Sequence, residues 1–205
     1  DKMGGHDYLR LDKNRDRAYQ FDHAFGPDAS STQVYAAMVE RIVDAVVAGF
    51  HGSCFAYGAT GSGKTFSMIG SAESPGVMPL AMSDLLAKTR ADDECEWRIS
   101  LSYVEIYNER VKDLLNPRST ADLEVREDAR QGTHIAGAVE SPVATKSEIL
   151  ELVSRGSVYR TTEATNCNEV SSRSHAVLQL SIQAVERYGD SGGRVVRRSK
   201  LSLID

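Results

Sequence analysis

The sequence predicts an α/β fold built on a mixed sheet, for three reasons. Segments with the apolar spacing of a helix alternate along the chain with short segments rich in β-branched and aromatic residues. A glycine-rich turn separates a short apolar strand from a helix near residue 60, an arrangement typical of parallel α/β units. Two long strand-like segments late in the chain are joined by a glycine-containing loop, which favours an antiparallel pair.

The composition is that of an ordinary globular chain. Its 205 residues include 24 Lys and Arg against 29 Asp and Glu, for a net charge of −5, and 41% are hydrophobic. No apolar run approaches the ~18–20 residues of a membrane helix, and the first residues lack the apolar region of a signal peptide. We therefore expect no membrane partner, and the mild acidity argues against nucleic acid as the main ligand. Three widely spaced cysteines predict a reducing compartment and argue against a zinc site.

In the first half of the chain, helix signals surround one short strand. Ser30 and Gln33 form a capping box, apolar residues then follow at helical spacing to residue 47, and Gly49 ends the helix. The apolar run at 53–57 predicts a buried strand. A second helix is predicted to begin near Lys64, to be interrupted over 70–76 and to resume over 77–89.

The second half is richer in strand signals. Residues 97–107 predict a long strand, and 109–115 a short amphipathic helical turn. Short strand-like pieces fill 123–143. A capping box at 145–148 begins a helix for which Gly156 is the predicted stop, and strands at 178–184 and 197–204 flank a turn at 189–193. No internal repeat or linker divides the chain, so residues 1–205 are treated as one unit.

Residues 58–65 read G-A-T-G-S-G-K-T and satisfy the phosphate-loop motif G-x-x-x-x-G-K-[ST]. Glycines let the backbone approach a polyphosphate closely, and the loop amides with the following helix start present donors to the anion. In this motif the lysine reaches the β- and γ-phosphates and the hydroxyl binds Mg²⁺. The aromatic residue that follows either stacks on a nucleotide base or packs into the core. The predicted nucleotide-binding residues are Gly58, Ala59, Thr60, Gly61, Ser62, Gly63, Lys64, Thr65 and Phe66.

A second polar segment, N-E-V-S-S-R-S-H at residues 168–175, directly precedes a well-patterned strand. For a protein that binds Mg-ATP, a serine hydroxyl here would complete the metal shell, and Arg173 would hold a moving loop through a bidentate ion pair. The alternative is a serine-rich surface loop with Arg173 and His175 in solvent.

Taken together, the two segments resemble the kinesin motor domain, in which N-x-x-S-S-R-S-H is switch I and G-x-T-G-S-G-K-T is close to the phosphate loop. Further segments similar to that family are F-D-H-A-F at 21–25, V-E-I-Y-N-E at 104–109 and L-S-L-I-D at 201–205. The resemblance runs from about Tyr19 to the end, and details of the phosphate loop and of residues 174–179 favour kinesin-8-like motors.

The resemblance implies a phosphate-loop NTPase fold of the kinesin type, with a mixed central sheet flanked by helices. It implies hydrolysis of Mg-ATP, ATP and ADP as ligands, and microtubules as the partner. Asp205 would open switch II and bind Mg²⁺ through water, and the helix that begins near residue 146 would run on to about 162. The implied catalytic residues are Lys64, Asn168, Ser171, Ser172 and Arg173, and the implied metal ligands are Thr65, Ser172 and Asp205.

The same resemblance implies a location on cytoplasmic microtubules and a parent protein that dimerises through regions outside this chain. Because a strand ends at Asp205, we expect a motor domain truncated at both ends. Such a fragment would lack the first strand and the rest of switch II, and would be inactive alone.

Two alternatives remain open at this point. The first is a degenerate module that binds nucleotide or tubulin without an ATPase cycle. The second is an unrelated phosphate-loop NTPase or kinase, in which the match at 168–175 is coincidental.

The basic segment at residues 193–200 has two interpretations. Its four basic residues either contact an acidic partner or are a solvated strand end.

Overall fold

The computed structural model describes residues 18–71, 73–119, 122–129, 132–166, 174–186 and 196–205. Hydrogen bonds order five strands of the main sheet as β1-β8-β7-β2-β3, with β6 paired to β2, while β4 and β5 form a separate hairpin. β1 and β8 run parallel and the other pairs are antiparallel, so the predicted mixed sheet is confirmed. The strands are β1 (Gly52–Phe55), β2 (Cys95–Tyr107), β3 (Arg110–Asp113), β4 (Glu124–Asp128), β5 (Gly132–Ala136), β6 (Ser141–Pro142), β7 (Ser174–Glu186) and β8 (Val196–Ile204).

Helices begin where the caps predict. Ser30 Oγ accepts a hydrogen bond from the Gln33 amide, and the Gln33 side chain accepts one from the Ser30 amide. A π-helical turn, Tyr35–Val39, lies between the first two helical segments. The α-helices are α1 (Ser31–Val34), α2 (Glu40–Val47), α3 (Lys64–Met68), α4 (Val77–Ala91) and α5 (Lys146–Asn166).

The core lies between these helices and one face of the sheet. Leu101, Leu180 and Leu201 are directly opposite one another on β2, β7 and β8, and each has no exposed surface. They belong to one cluster with side chains of α2, α4 and α5, including Val43, Val46, Met82, Leu85 and Ile149. This burial of apolar surface supplies most of the stabilisation.

The prediction of a helical turn at residues 109–115 is wrong. The segment contains strand β3, which pairs with β2 from Val104 opposite Asp113 to Tyr107 opposite Arg110. Asn108 and Glu109 form a two-residue hairpin loop, with φ of 48° and 63°. Pairing with the long neighbouring strand outweighed the local helical pattern, which spans too few residues to be stable alone.

Helix α5 continues past Gly156, as the family resemblance implied and the local glycine signal did not, and it ends beyond the expected residue 162. Gly156 is buried against the ring of Tyr103 on β2. A Cβ at this position would lie 2.8 Å from Tyr103 Cε1 and 3.3 Å from Leu114 Cβ. The glycine is therefore a packing requirement within the helix. No helix in the described part of the chain is long and apolar enough to cross a membrane.

We predict that Gly156→Ala destabilises the protein although alanine is the better helix former. The gain of roughly 1 kcal/mol in helix propensity is outweighed by overpacking against Tyr103, so the free energy of unfolding should fall by about 1–3 kcal/mol. Chemical denaturation measures the change. Ser154→Ala, at an exposed position of the same helix, is the control and should change stability by less than about 0.5 kcal/mol. An increase in stability for Gly156→Ala would contradict the packing role.

Candidate functional site

The glycine-rich loop connects β1 to α3 at one edge of the sheet. Because β1 and β8 are parallel, with Phe55 opposite Ile204, the loop and Asp205 leave the sheet at the same edge. Gly61 and Gly63 have φ of 80° and 90°, a backbone region that other residues rarely adopt. These glycines allow the chain to turn directly into α3.

Lys64, the first residue of α3, folds back over the loop. Its Nζ donates to the carbonyl oxygens of Gly58 and Ala59, at 3.0 Å each. The ammonium group is thereby held against the backbone segment that the motif assigns to phosphate binding.

Thr65 contacts Asp205, which is 140 residues away in the sequence. The Thr65 hydroxyl donates to both carboxylate oxygens of Asp205, at 3.0 and 2.9 Å. Asp205 is only 6% exposed, and its backbone pairs with Ala176 on β7 through two hydrogen bonds of 2.9 Å. The carboxylate position is therefore fixed by the sheet.

Arg160 on α5 is the cation that accompanies this carboxylate. Its Nη1 donates to Asp205 Oδ2 at 3.1 Å and its Nη2 to the Ser174 carbonyl at 3.3 Å. Its Nε lies 3.6 Å from Glu105 Oε1 on β2, in an ion pair. Glu105 is 3% exposed, so one guanidinium faces two buried carboxylates, and buried charges need such partners.

Two neighbouring titratable groups are held neutral. Burial raises the pKa of the Tyr103 hydroxyl, although a hydrogen bond with Ser157 and the nearby Arg160 both lower it. Burial also raises the pKa of the Cys54 thiol, on the strand that leads into the loop.

The structure brings together only some of the predicted site residues. Thr65 contacts Asp205, and Lys64 precedes Thr65 at the start of α3 and contacts the loop. Phe66, also on α3, is 58% exposed and does not pack into the core. The predicted switch residues Asn168, Ser171, Ser172 and Arg173 lie outside the described residues. The described residue that follows them, Ser174, is joined through Arg160 to Asp205.

Sequence reasoning missed Arg160 and Glu105. Glu105 did carry a signal, because a carboxylate between Val104 and Ile106 interrupts an apolar strand and requires a partner when buried. Arg160 carried none, since a single arginine on a polar helix is usually solvated. Only the packing of α5 on β2 identifies it.

The donors at this site suit a magnesium ion. Mg²⁺ prefers oxygen ligands and retains several waters, and Thr65 supplies a hydroxyl beside the Asp205 carboxylate. Ser174, whose carbonyl accepts a hydrogen bond from Arg160, has a buried hydroxyl without a hydrogen-bond partner among the described residues. This hydroxyl is a further oxygen near the site.

Comparison with known proteins identifies the same family as the motifs. The model of the kinesin motor domain matches residues 4–205. Kinesin-like protein KIN-8A of Oryza sativa subsp. japonica is 45% identical over 200 residues, which are 97% of this chain and 25% of that protein. Kinesin-like protein KIF19 of Homo sapiens is 39% identical over 200 residues, 97% of this chain and 20% of that protein.

A solved structure agrees with these relatives. It is the structure of a fast kinesin, with implications for the ATPase mechanism of that protein and its interactions with microtubules. It matches this chain with a TM-score of 0.83 and 30% identity. The match covers 91% of this chain and 53% of the solved one. The chain thus spans at most about a quarter of the two relatives above and about half of the solved kinesin.

We predict that Arg160→Ala strongly destabilises the protein, because Glu105 and Asp205 would remain buried without their cation. Breaking a buried ion pair on one side costs about 3–5 kcal/mol, which chemical denaturation would detect. Arg155→Ala, at an exposed position of the same helix, is the matched control and should cost less than about 0.5 kcal/mol. Equal stabilities of the two variants would show that the buried network is not needed.

Proposed function

The chain belongs to the kinesin motor-domain family, and we propose that it is the nucleotide-binding part of an ATP-dependent motor that moves along microtubules. The observation that carries the proposal is the contact of Thr65 with Asp205 beside the loop that holds Lys64. A hydroxyl, a carboxylate and a lysine at one sheet edge are the groups that a phosphoryl-transfer site requires.

In the proposed mechanism, the protein positions the γ-phosphate and stabilises its charge. Lys64 exchanges its carbonyl contacts for phosphate oxygens of ATP or ADP, and Gly58 through Gly63 supply backbone donors. Thr65, Ser172 and Asp205 would hold Mg²⁺, with Asp205 acting through water. When bound, the ion neutralises phosphate charge and orients the reacting group.

The remaining proposed roles concern the attacking water and the coupling to the track. Ser171, Asn168 and Arg173 position the water and close the site, and order in this segment couples nucleotide state to microtubule affinity. Arg160 acts as a positioning residue, because it fixes Asp205 and holds the backbone of Ser174. Phe66 offers an exposed ring for the nucleotide base.

We further propose that the parent protein works on cytoplasmic microtubules and dimerises through regions outside this chain. ATPase activity that microtubules stimulate distinguishes this function from that of a degenerate module, which would bind nucleotide without turnover.

The first test is the ATPase rate of the complete motor with and without microtubules. We expect stimulation in the unmodified protein, and a loss of about 100-fold or more in kcat for Lys64→Ala, because a charge that stabilises the transition state is removed. Lys146→Ala, at an exposed helix start, is the control and should retain the unmodified rate. Turnover that microtubules leave unchanged would contradict the motor function. Unmodified activity in Lys64→Ala would remove that residue from the mechanism.

The second test concerns the metal. Thr65→Val keeps the shape of the side chain but removes its oxygen, so the Mg²⁺ concentration for half-maximal ATPase should rise about 10-fold or more. Magnesium titration at fixed ATP measures this shift. Thr32→Val, at an exposed position of α1, is the control. An unchanged magnesium requirement in Thr65→Val would show that the Thr65 hydroxyl is not a ligand.

A further inference from the structure

The outer edge of strand β2 is open near its beginning. On that side, β3 and β6 pair with β2 between residues 100 and 107, and the Val143 amide donates to the Ile99 carbonyl at 3.0 Å. Because the backbone groups of alternate residues face the same neighbour, those of Trp97 and Cys95 also face outward. Within the described part of the chain, no strand pairs with Trp97 or Cys95 on this side. Such an edge can accept a further strand.

The chain that follows β6 turns away from this edge at Ala144. The Glu148 carboxylate accepts hydrogen bonds from the amides of Ala144 and Thr145, at 2.7 and 3.0 Å. Arg90 on α4 donates to the Ala144 carbonyl at 2.7 Å. Contacts from two helices therefore fix the turn, and the segment after β6 stops opposite Ile99.

Two cavities flank the open edge, one on each face of the sheet. The larger, of about 500 Å³, is lined by Arg98 and Gln183, which are opposite each other on the face away from the helices. The smaller, of about 290 Å³, is lined by Leu86 and Thr89 of α4, on the helix face. The residues that line both cavities are Trp97, Ile99, Val143 and Ala144. The two cavities therefore adjoin at the edge of β2.

The smaller cavity has an acidic lining. Asp92 and Asp93 lie there at the C-terminal end of α4, where the helix dipole is negative. They belong to the segment D-D-E-C-E at residues 92–96, which carries four carboxylates in five residues. Arg90, which donates to the Ala144 carbonyl, is the one cation among the described lining residues. The cavity therefore favours a positively charged group.

We propose that the open edge of β2 binds a basic, extended segment of a partner protein as an added strand. The backbone of that segment would pair with the outward amide and carbonyl groups of Trp97 and Cys95. Because side chains alternate across a strand, successive residues of the segment would enter the two cavities in turn. A lysine would face Asp92 and Asp93, and the next residue would lie in the larger cavity beside Pro142.

This docking site goes beyond the proposed motor function. Strands β2 and β8 are both antiparallel to β7, so they run in the same direction. The first residues of β2 therefore lie at the edge of the sheet opposite the glycine-rich loop, away from the nucleotide.

Other occupants fit this edge less well. Two copies of the chain paired at this edge would bring their acidic segments at residues 92–96 together, and like charges in opposed positions are unfavourable. The same carboxylates disfavour the phosphates of a nucleic acid.

The test is fluorescence anisotropy of a labelled octapeptide of alternating lysine and valine, with the complete protein and without microtubules. Asp93→Lys should weaken binding about 10-fold or more, since it replaces an attraction by a repulsion. Asp28→Lys, at an exposed position outside both cavities, is the charge-matched control and should change binding less than about 2-fold.

Two further comparisons separate strand addition from the attraction of charges alone. The same peptide with methyl groups on its backbone nitrogens keeps its charge but loses its donors, and it should bind about 10-fold more weakly or worse. Ala144→Phe fills the space between the cavities without a change of charge and should weaken binding to a similar extent. Ala87→Phe, at an exposed position of α4 outside both cavities, is its size-matched control.

Four results would overturn the proposal: no binding by the unmodified protein, equal effects of Asp93→Lys and Asp28→Lys, equal binding of the methylated peptide, or self-association of the protein that Ala144→Phe abolishes. The last would show that a second copy occupies the edge. Thermal melting establishes that each variant is folded. The site does not depend on hydrolysis, so Lys64→Ala should bind the peptide like the unmodified protein. Failure of the motor function and failure of this site are therefore distinguishable.

Discussion

The structure depends on one guanidinium that compensates two buried carboxylates. Arg160 lies between Glu105 and Asp205, which are 3% and 6% exposed. An unpaired charge at that depth is strongly unfavourable, so helix α5 and strands β2 and β8 must keep their relative positions. Because Thr65 donates to the same Asp205, this constraint extends to the helix that begins at the glycine-rich loop.

The parallel pairing of β1 and β8 places this network next to the glycine-rich loop. In an antiparallel pair, the loop and Asp205 would leave the sheet at opposite ends. Because the loop and Asp205 lie side by side, the Lys64 ammonium, the Thr65 hydroxyl and the Asp205 carboxylate are at the same edge of the sheet. Arg160 also bonds to Ser174, so the network extends to the residue that follows the predicted switch segment.

The two faces of the sheet have different chemistry. One face is apolar and packs on the helices, as the row of Leu101, Leu180 and Leu201 shows. The adjacent row on the other face is Ser100, Ser181 and Lys200. Hydroxyls and cations on this face would be costly to bury in an apolar core. The hairpin joined to Lys200 shapes this face into a cleft.

Features with a strong local cause were predictable from the sequence. The motif at residues 58–65, the capping box at Ser30 and the long strands depend on neighbouring residues or on simple periodicity, and the family resemblance came from such motifs. The β3 hairpin, the passage of α5 through Gly156 and the pairing of Arg160 with Glu105 and Asp205 have no local cause. They were decided by tertiary structure, because strand pairing, close packing and charge compensation join residues that are distant in the sequence.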